Sequence, residues 1–307
     1  MSKLRVAVDA GGTFTDVCIY HEDTQEFRVT KVPSTPSNPK QAVIDGIRRG
    51  DIDLSDVDLF FHGTTVATNA LITRRFPRAA LVTTKGFRDV IEIRDGTKDN
   101  LWDAYEDVSG PYIRRRDRFE VTERVDYAGE VVTPLDEEEA RILARKLKRR
   151  GATTVAVCFI NSYANAQNER RMREILEEEV PEASVSTSSD ILPEIFEHDR
   201  FNTAVANTVL GPLVSDYVKQ LDDELSAGGY DNDLLLLHSG GGSMTPAMAK
   251  HFPVRLAASG IAAGAIAAKH IAEQCGYQNA VGLDMGGTST DISLIHDGEL
   301  RVTKQWG

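Results

Sequence analysis

The run Asp9-Ala10-Gly11-Gly12-Thr13-Phe14-Thr15-Asp16 returns 275 residues later as Asp284-Met285-Gly286-Gly287-Thr288-Ser289-Thr290-Asp291. Each copy follows an apolar run suited to a strand, Leu4 to Val8 and Ala280 to Leu283. Each is followed by another, Val17 to Tyr20 and Ile292 to Ile295. The pattern predicts strand, glycine turn, strand, twice over. A Gly-Gly pair lets the backbone take positive φ and bring N–H groups close to an anion. The hydroxyls of Thr13, Thr15, Thr288 and Thr290 add donors. Two such hairpins read as two jaws closing on one polyphosphate.

Asp9 and Asp284 stand where a strand ends. Each either holds a divalent cation, directly or through water, or caps its own turn. Asp16 and Asp291 close the motifs, and either orient the threonine hydroxyls or end the turn. Neither copy is a Walker A loop, because no G-x-x-x-x-G-K-[ST] follows. Neither is a dinucleotide turn, which would open a helix; Thr-Phe-Thr and Thr-Ser-Thr favour strand.

Apolar runs punctuated by helical patterns predict an α/β fold. A third strand is expected at Phe27 to Val32, then a helix near Gln41 to Arg49 after three prolines. Strands are expected at Leu59 to His62, Ala79 to Thr83, Thr154 to Phe159, Ser184 to Ser186 and Leu234 to Leu237. Helices are expected at Val66 to Arg74, Leu135 to Arg150, Asn165 to Glu179, across most of Pro193 to Leu225, and at Ile261 to Cys275. Residues 94–118 are charged and aperiodic and read as a long loop. Gly298-Glu299 reads as a hairpin turn with a return strand at Leu300 to Lys304.

A chain of 307 residues has room for a large core and for two domains. Its net charge of −12 opposes nucleic-acid binding, which needs a basic face. There is no apolar run long enough to span a bilayer, and Met-Ser-Lys-Leu-Arg leads directly into a strand, so a cytoplasmic location is expected. Cys18, Cys158 and Cys275 lie singly in apolar stretches and read as reduced core residues.

Four segments carry a family resemblance: VDAGGTFTD at Val8 to Asp16, HGTTVATNALI at His62 to Ile72, GFRDVIEI at Gly86 to Ile93, and LDMGGTSTDI at Leu283 to Ile292. Weaker echoes lie at Pro193 to Tyr217 and His251 to Gly264. The chain resembles the actin-like ATPases, and within them the hydantoinase A, 5-oxoprolinase and acetone carboxylase family. The resemblance implies a ribonuclease H-like fold with a pair of phosphate-binding β-hairpins. Residues 1–80 would form the first subdomain and 81–190 an inserted or connecting α/β region. Residues 191–307 would hold a helical connection and the start of the second subdomain. Actin-like ATPases carry an adenosine-holding segment later than the second turn, so an incomplete chain is expected.

On the same pattern Gly11, Gly12, Thr13 and Thr15 would hold one end of ATP, and Gly286, Gly287, Thr288 and Thr290 the other. Asp9 and Asp284 would anchor Mg²⁺ or Mn²⁺. Three further candidates are catalytic: His62, Glu197 and Asp291. His62 leaves an apolar strand at a glycine turn, where α/β folds place ligands. It is either a general base or donor, or a hydrogen-bonded structural residue. Glu197 sits in a polar group with Glu194, His198, Asp199 and Arg200. It either orients the attacking group or belongs to a solvated helix start. Gly240-Gly241-Gly242 and Ser259-Gly260 are candidate anion nests, although the family usually has Pro where Ile261 stands. Arg114-Arg115-Arg116 reads as a solvated run or a subunit contact.

The resemblance implies an ATP-using subunit that phosphorylates a ketone enolate, bicarbonate or both before carboxylation, working with a second, unrelated large subunit. The alternatives are an ATP-dependent hydrolase of cyclic amides and a non-enzymatic actin-like switch. Hydantoinase-like relatives usually continue GFRDxxEI with Gly-Arg-Gln. Arg94-Asp95-Gly96 departs from that and tilts the reading towards a ketone carboxylase.

Overall fold

The computed structural model describes residues 4–35, 38–96, 102–105, 109–286 and 290–301. The chain divides into two units, residues 1–72 with 213–307, and residues 73–212.

In the first unit the repeated hairpin begins at once. Strands β1 (Leu4–Ala10), β2 (Phe14–His21) and β3 (Phe27–Pro33) pair antiparallel in sequence. Helix α1 (Pro39–Arg49) follows, with Pro39 near its start, where a backbone N–H would have no helical partner, and Arg48 and Arg49 in its last turn, where the helix dipole favours cations. Strand β4 (Val57–Thr64) then lies parallel to β1, and α2 (Val66–Thr73) leaves its end. Along β1 the alternation is strict: Leu4, Val6, Val8 and Ala10 are buried and the residues between are exposed. Helix α1 covers that face, and Gly46 and Gly50 let it approach Val17 and Ile19 closely. Each buried aliphatic side chain contributes about 1.5–3 kcal/mol.

The second unit is one continuous segment. It contains β5 (Ala79–Thr84), α3 (Val90–Ile93), β6 (Arg118–Val121), β7 (Arg124–Val125), β8 (Val131–Thr133), α4 (Glu137–Arg149), β9 (Thr154–Cys158), α5 (Gln167–Glu179), β10 (Ser184–Thr187) and α6 (Ser188–Ile191). Its sheet, in the order β10-β9-β5-β6, is wholly parallel. Helices α4 and α5 cover one face through Leu143, Leu147, Met172, Ile175 and Leu176. Asp136 caps α4 by accepting from the Glu139 amide at 3.0 Å. Two buried polar networks knit the carboxyl ends of these strands. Glu169 accepts from the Phe159 and Ser189 amides and the Ser188 hydroxyl, and Arg200 donates to the Ser188 hydroxyl and to the Phe159 and Glu194 carbonyls. Glu123 accepts from Thr84 and Asn168.

Helix α7 (Glu197–Ala227) carries the chain back into the first unit, with Pro212 inside it. There follow β11 (Leu234–Leu237), β12 (Ser243–Met244), α8 (Pro246–His251), α9 (Ser259–Gln274), β13 (Ala280–Met285), β14 (Thr290–His296) and β15 (Glu299–Leu300). Strand β11 pairs parallel to β4, which completes a six-stranded sheet in the order β12-β11-β4-β1-β2-β3. Strands β13, β14 and β15 form a separate antiparallel sheet against α9. Among the described residues no helix is long and apolar enough to cross a membrane.

Three expectations need correction. Gly11 and Gly12 do not take positive φ; Gly11 is required for space, because a Cβ there would meet the Phe14 carbonyl oxygen at 3.0 Å. Only Cys158 of the three free cysteines is a core residue, since Cys18 is half-buried and Cys275 exposed. The final turn is Asp297-Gly298, both at positive φ as a two-residue hairpin loop requires.

Candidate functional site

The two motifs fold into equivalent hairpins. Asp9 pairs in register with Asp16, and Asp284 with Asp291. In the first turn the Gly11 amide donates to the Phe14 carbonyl and the Ser34 amide to the Thr13 carbonyl. Thr15 is buried and its hydroxyl bonds that of Ser34 at 2.9 Å, while Lys31 pairs with Asp16 at 3.1 Å. In the second hairpin Thr290 opposes Met285. Gly287 and Thr288 lie outside the described residues.

Asp9 stands at the carboxyl end of β1, beside Gly63 at the end of β4. Partial burial, then the charges of Asp16 and Asp284, push its carboxyl above the usual range. The two leading aspartates of the repeat are therefore close enough to repel. A Cβ on Gly63 would stand 2.8 Å from the Asp9 Oδ1, and one on Gly264 3.2 Å from the Asp284 Oδ2. Glycine thus keeps space beside both carboxylates. A cleft of about 190 Å³ opens between α9 and the second hairpin, lined by Gly264, Ala265, Asp284 and Asp291.

The donor set suits a hard dication. Two neighbouring carboxylates are stabilised by a shared cation, and Mg²⁺ takes few protein ligands and keeps its waters. Among the described residues no three metal-ligating side chains converge.

His62 is fully buried beneath this edge. Its Nδ1 lies 3.0 Å from the Val8 carbonyl and so donates to it; its Nε2, 2.6 Å from the Tyr217 hydroxyl, accepts. Thr64 in turn hydrogen-bonds the Tyr217 hydroxyl. Burial pushes the imidazole down to about 4 and the phenol up. Neither ring nitrogen is free to take a proton from a substrate in this arrangement. The relay instead ties the residue before Asp9 to α7. Tyr217 had no local sequence signal, being 155 residues from its partner.

Glu197 lies in the other unit, where it accepts from the Asn161 amide at 3.2 Å and Arg200 at 3.3 Å. The candidate nest at Gly240-Gly241-Gly242 spends donors internally: the Gly240 amide reaches the His238 Nδ1 and the Gly241 amide the His238 carbonyl. Ser259 donates to the Thr64 carbonyl at 3.3 Å, fastening the start of α9 to the end of β4.

A sheet running β3-β2-β1-β4-β11, with a second glycine-turn hairpin of the same register, is an actin-like ATPase-type fold. The chain belongs to the hydantoinase/oxoprolinase family: the N-terminal-region model of that family matches residues 5–180 and a second hydantoinase/oxoprolinase model matches residues 200–306. The acetophenone carboxylase gamma subunit of Aromatoleum aromaticum is 33% identical over 96% of this chain and 43% of its own length. The nucleotide-free structure of acetone carboxylase, from work on ATP-dependent acetone carboxylation, superposes with a TM-score of 0.87 at 29% identity, over 97% of this chain and 45% of that one. The ATP-dependent caprolactamase of Pseudomonas jessenii superposes with a TM-score of 0.86 at 30% identity, over 94% and 43%. This chain spans less than half the length of the curated relatives it matches.

Proposed function

We propose that this chain is the ATP-binding part of an enzyme that activates an oxygen of its substrate by phosphorylation, with a ketone enolate or bicarbonate as acceptor and carboxylation as the outcome. The observation that carries the reading is that the charge of Asp284 acts on Asp9, two residues at equivalent places in the duplicated motif. In the proposed site the turns at Gly11, Gly12, Thr13 and Thr15 and at Gly286, Gly287, Thr288 and Thr290 grip the phosphates. Asp9 and Asp284 hold Mg²⁺ or Mn²⁺, which would neutralise phosphate charge when bound. Asp291 positions the second turn. His62 acts through Val8 and Tyr217 to fix the first, and Glu197 orders the start of α7 through Arg200. The acetophenone and acetone carboxylases support the carboxylase reading and a second large subunit as partner. Caprolactamase supports the other reading, hydrolysis of a cyclic amide.

The test is ATP hydrolysis by the full-length protein with its partner subunit, screened with ketones plus bicarbonate against cyclic amides. Stimulation by a ketone with bicarbonate is expected. Stimulation by an amide alone would select the hydrolase, and turnover indifferent to every small molecule would point to a switch. Gly63→Ala should lower substrate-dependent turnover by about 10²-fold, since its Cβ displaces the Asp9 carboxylate and misplacement on that scale has that effect. Unchanged turnover in Gly63→Ala would remove Asp9 from the site.

A further inference from the structure

The carboxyl edge of the six-stranded sheet carries a second set of donors that the phosphate turns do not use. Strand β11 ends at Leu237, whose Cδ1 lies 3.6 Å from the Cβ position of Gly63, the same position that crowds Asp9. The next residue is His238. Its Nδ1 accepts from the Gly240 amide at 3.0 Å. That bond fixes the neutral tautomer, so the proton sits on Nε2. Among the described residues no acceptor faces that Nε2. Gly241, at φ +83°, lets the loop turn back against Ile266, and the His238 amide closes it on the Gly242 carbonyl at 3.0 Å.

Arg255 arrives at the same loop from the segment before α9. Its carbonyl accepts from the Ser239 amide at 2.7 Å, and its guanidinium stacks on Phe252 with the ring centroid 4.7 Å away. Among the described residues no carboxylate pairs with it. Partial burial and the neighbouring Arg255 charge both push the His238 imidazole below its usual range, which keeps it a neutral Nε2–H donor at physiological pH. A chain of net charge −12 thus leaves an arginine fork without a carboxylate partner beside a tautomer-fixed histidine, at the sheet edge where α/β folds receive ligands.

We propose that His238 and Arg255 form a binding subsite for a planar oxyanion, the carboxylate or bicarbonate group of the phosphoryl acceptor. The planar guanidinium matches two coplanar oxygens, and the imidazole Nε2–H supplies a third donor. The ATP phosphates have the glycine turns and the Asp9–Asp284 pair, so this subsite serves the other reactant. The inference rests on the phosphoryl-transfer reading and narrows its substrate class: the acceptor is anionic, and a neutral ketone or lactam is not what this subsite holds.

The experiment measures binding directly, so that it stands apart from ATP turnover. The full-length protein with its partner subunit is titrated with [¹³C]bicarbonate, read by ¹³C line width, and with 5-oxoproline and its uncharged counterpart 2-pyrrolidinone, read by calorimetry. One of the two anions is expected to bind, and which one does identifies the source of the oxyanion; 2-pyrrolidinone is expected to bind at least tenfold more weakly. Arg255→Met and His238→Leu should each weaken the anion about tenfold or more, as loss of a charged or donor partner does. His238→Gln, which keeps an N–H donor, should recover most of the affinity. Melting temperatures are measured alongside; if Arg255→Met is unstable, Arg255→Lys, which keeps charge but loses the fork, should still lose affinity. Failure of both anions to bind, equal affinity in Arg255→Met, or equal binding of 2-pyrrolidinone would overturn the subsite. Absence of ATP hydrolysis in every protein would instead sink the phosphoryl-transfer reading.

Discussion

At the scale of single residues, His62 shows how a burial pattern separates two roles that a sequence leaves open. A histidine at a strand end beside Gly63 and Thr64 looks the same whether it meets substrate or packs inside. The structure gives both its nitrogens partners, and one of them, Tyr217, comes from a helix far along the chain. The consequence is a pH dependence of stability. The folded pKa, about 4, lies below the unfolded value of 6.5. Between those values the unfolded chain binds more protons, so stability rises with pH. The contribution is fully present above pH about 6.5 and is lost as pH falls towards 4, a change of about 3 kcal/mol for this one group. Urea unfolding of the chain and of His62→Gln at pH 7 and pH 4.5 checks it. The difference in stability between the two proteins should shrink at the lower pH. A difference that does not change with pH would mean that His62 titrates normally.

At the scale of elements, the two hairpins share a register but not an environment. Val6, Val8 and Ala10 of β1 and Val17 and Ile19 of β2 are all nearly inaccessible. Their counterparts Val281, Leu283 and Met285 of β13 and Ile292 and Leu294 of β14 are between 56% and 71% exposed. In the first copy α1 covers that face; among the described residues nothing covers it in the second. Five apolar positions separate the two, and four of those in the first hairpin, Val6, Val8, Val17 and Ile19, each contribute about 1.5–3 kcal/mol by burial. Amide exchange in the 307-residue chain should therefore be faster in β13–β14 than in β1–β2, on the order of 10²-fold or more, because local opening is governed by such burial. Equal protection would show that α9 alone secures the second hairpin. The repeat made the strand–turn–strand pairing of both copies legible, since glycine, threonine and flanking apolar runs are local signals. The coverage of each face was not, because it depends on which helix arrives. Strands β6, β7 and β8 were missed for a related reason. They are short, and Arg118, Glu120 and Arg124 interrupt them with charges whose partners, such as Asp89 and Glu92 for Arg118, lie elsewhere. The aspartates of the site could be named from the sequence, but the glycines that make room for them, Gly63 and Gly264, become meaningful only once β4 and α9 are placed.

At the scale of the whole molecule, one unit is made of two stretches of chain and the other of one. The segment Thr73–Pro212 has its own parallel sheet, a core between that sheet and α4 and α5, and buried polar networks whose members all fall within it. Glu169 is wholly inaccessible and its carboxylate accepts from the Phe159 and Ser189 amides and the Ser188 hydroxyl, and that hydroxyl also receives Arg200. A segment with a core of its own and buried polar networks closed within it meets the conditions for folding alone. A protein consisting of residues 73–212 should therefore show α/β circular dichroism and one cooperative thermal transition. Glu169→Ala in the same protein should destabilise it by about 3–5 kcal/mol, because it leaves the Phe159 and Ser189 amides and the Ser188 hydroxyl without their acceptor. That is a large share of the roughly 5–15 kcal/mol available to a domain of this size, and it should lower the melting temperature by about 10 °C or more. The comparison separates two origins of the segment's order. If residues 73–212 fold and Glu169→Ala melts early, the network is intrinsic to the segment. If they show no cooperative transition, the segment takes its structure from the rest of the chain, and the polar network is a product of that context rather than a source of stability.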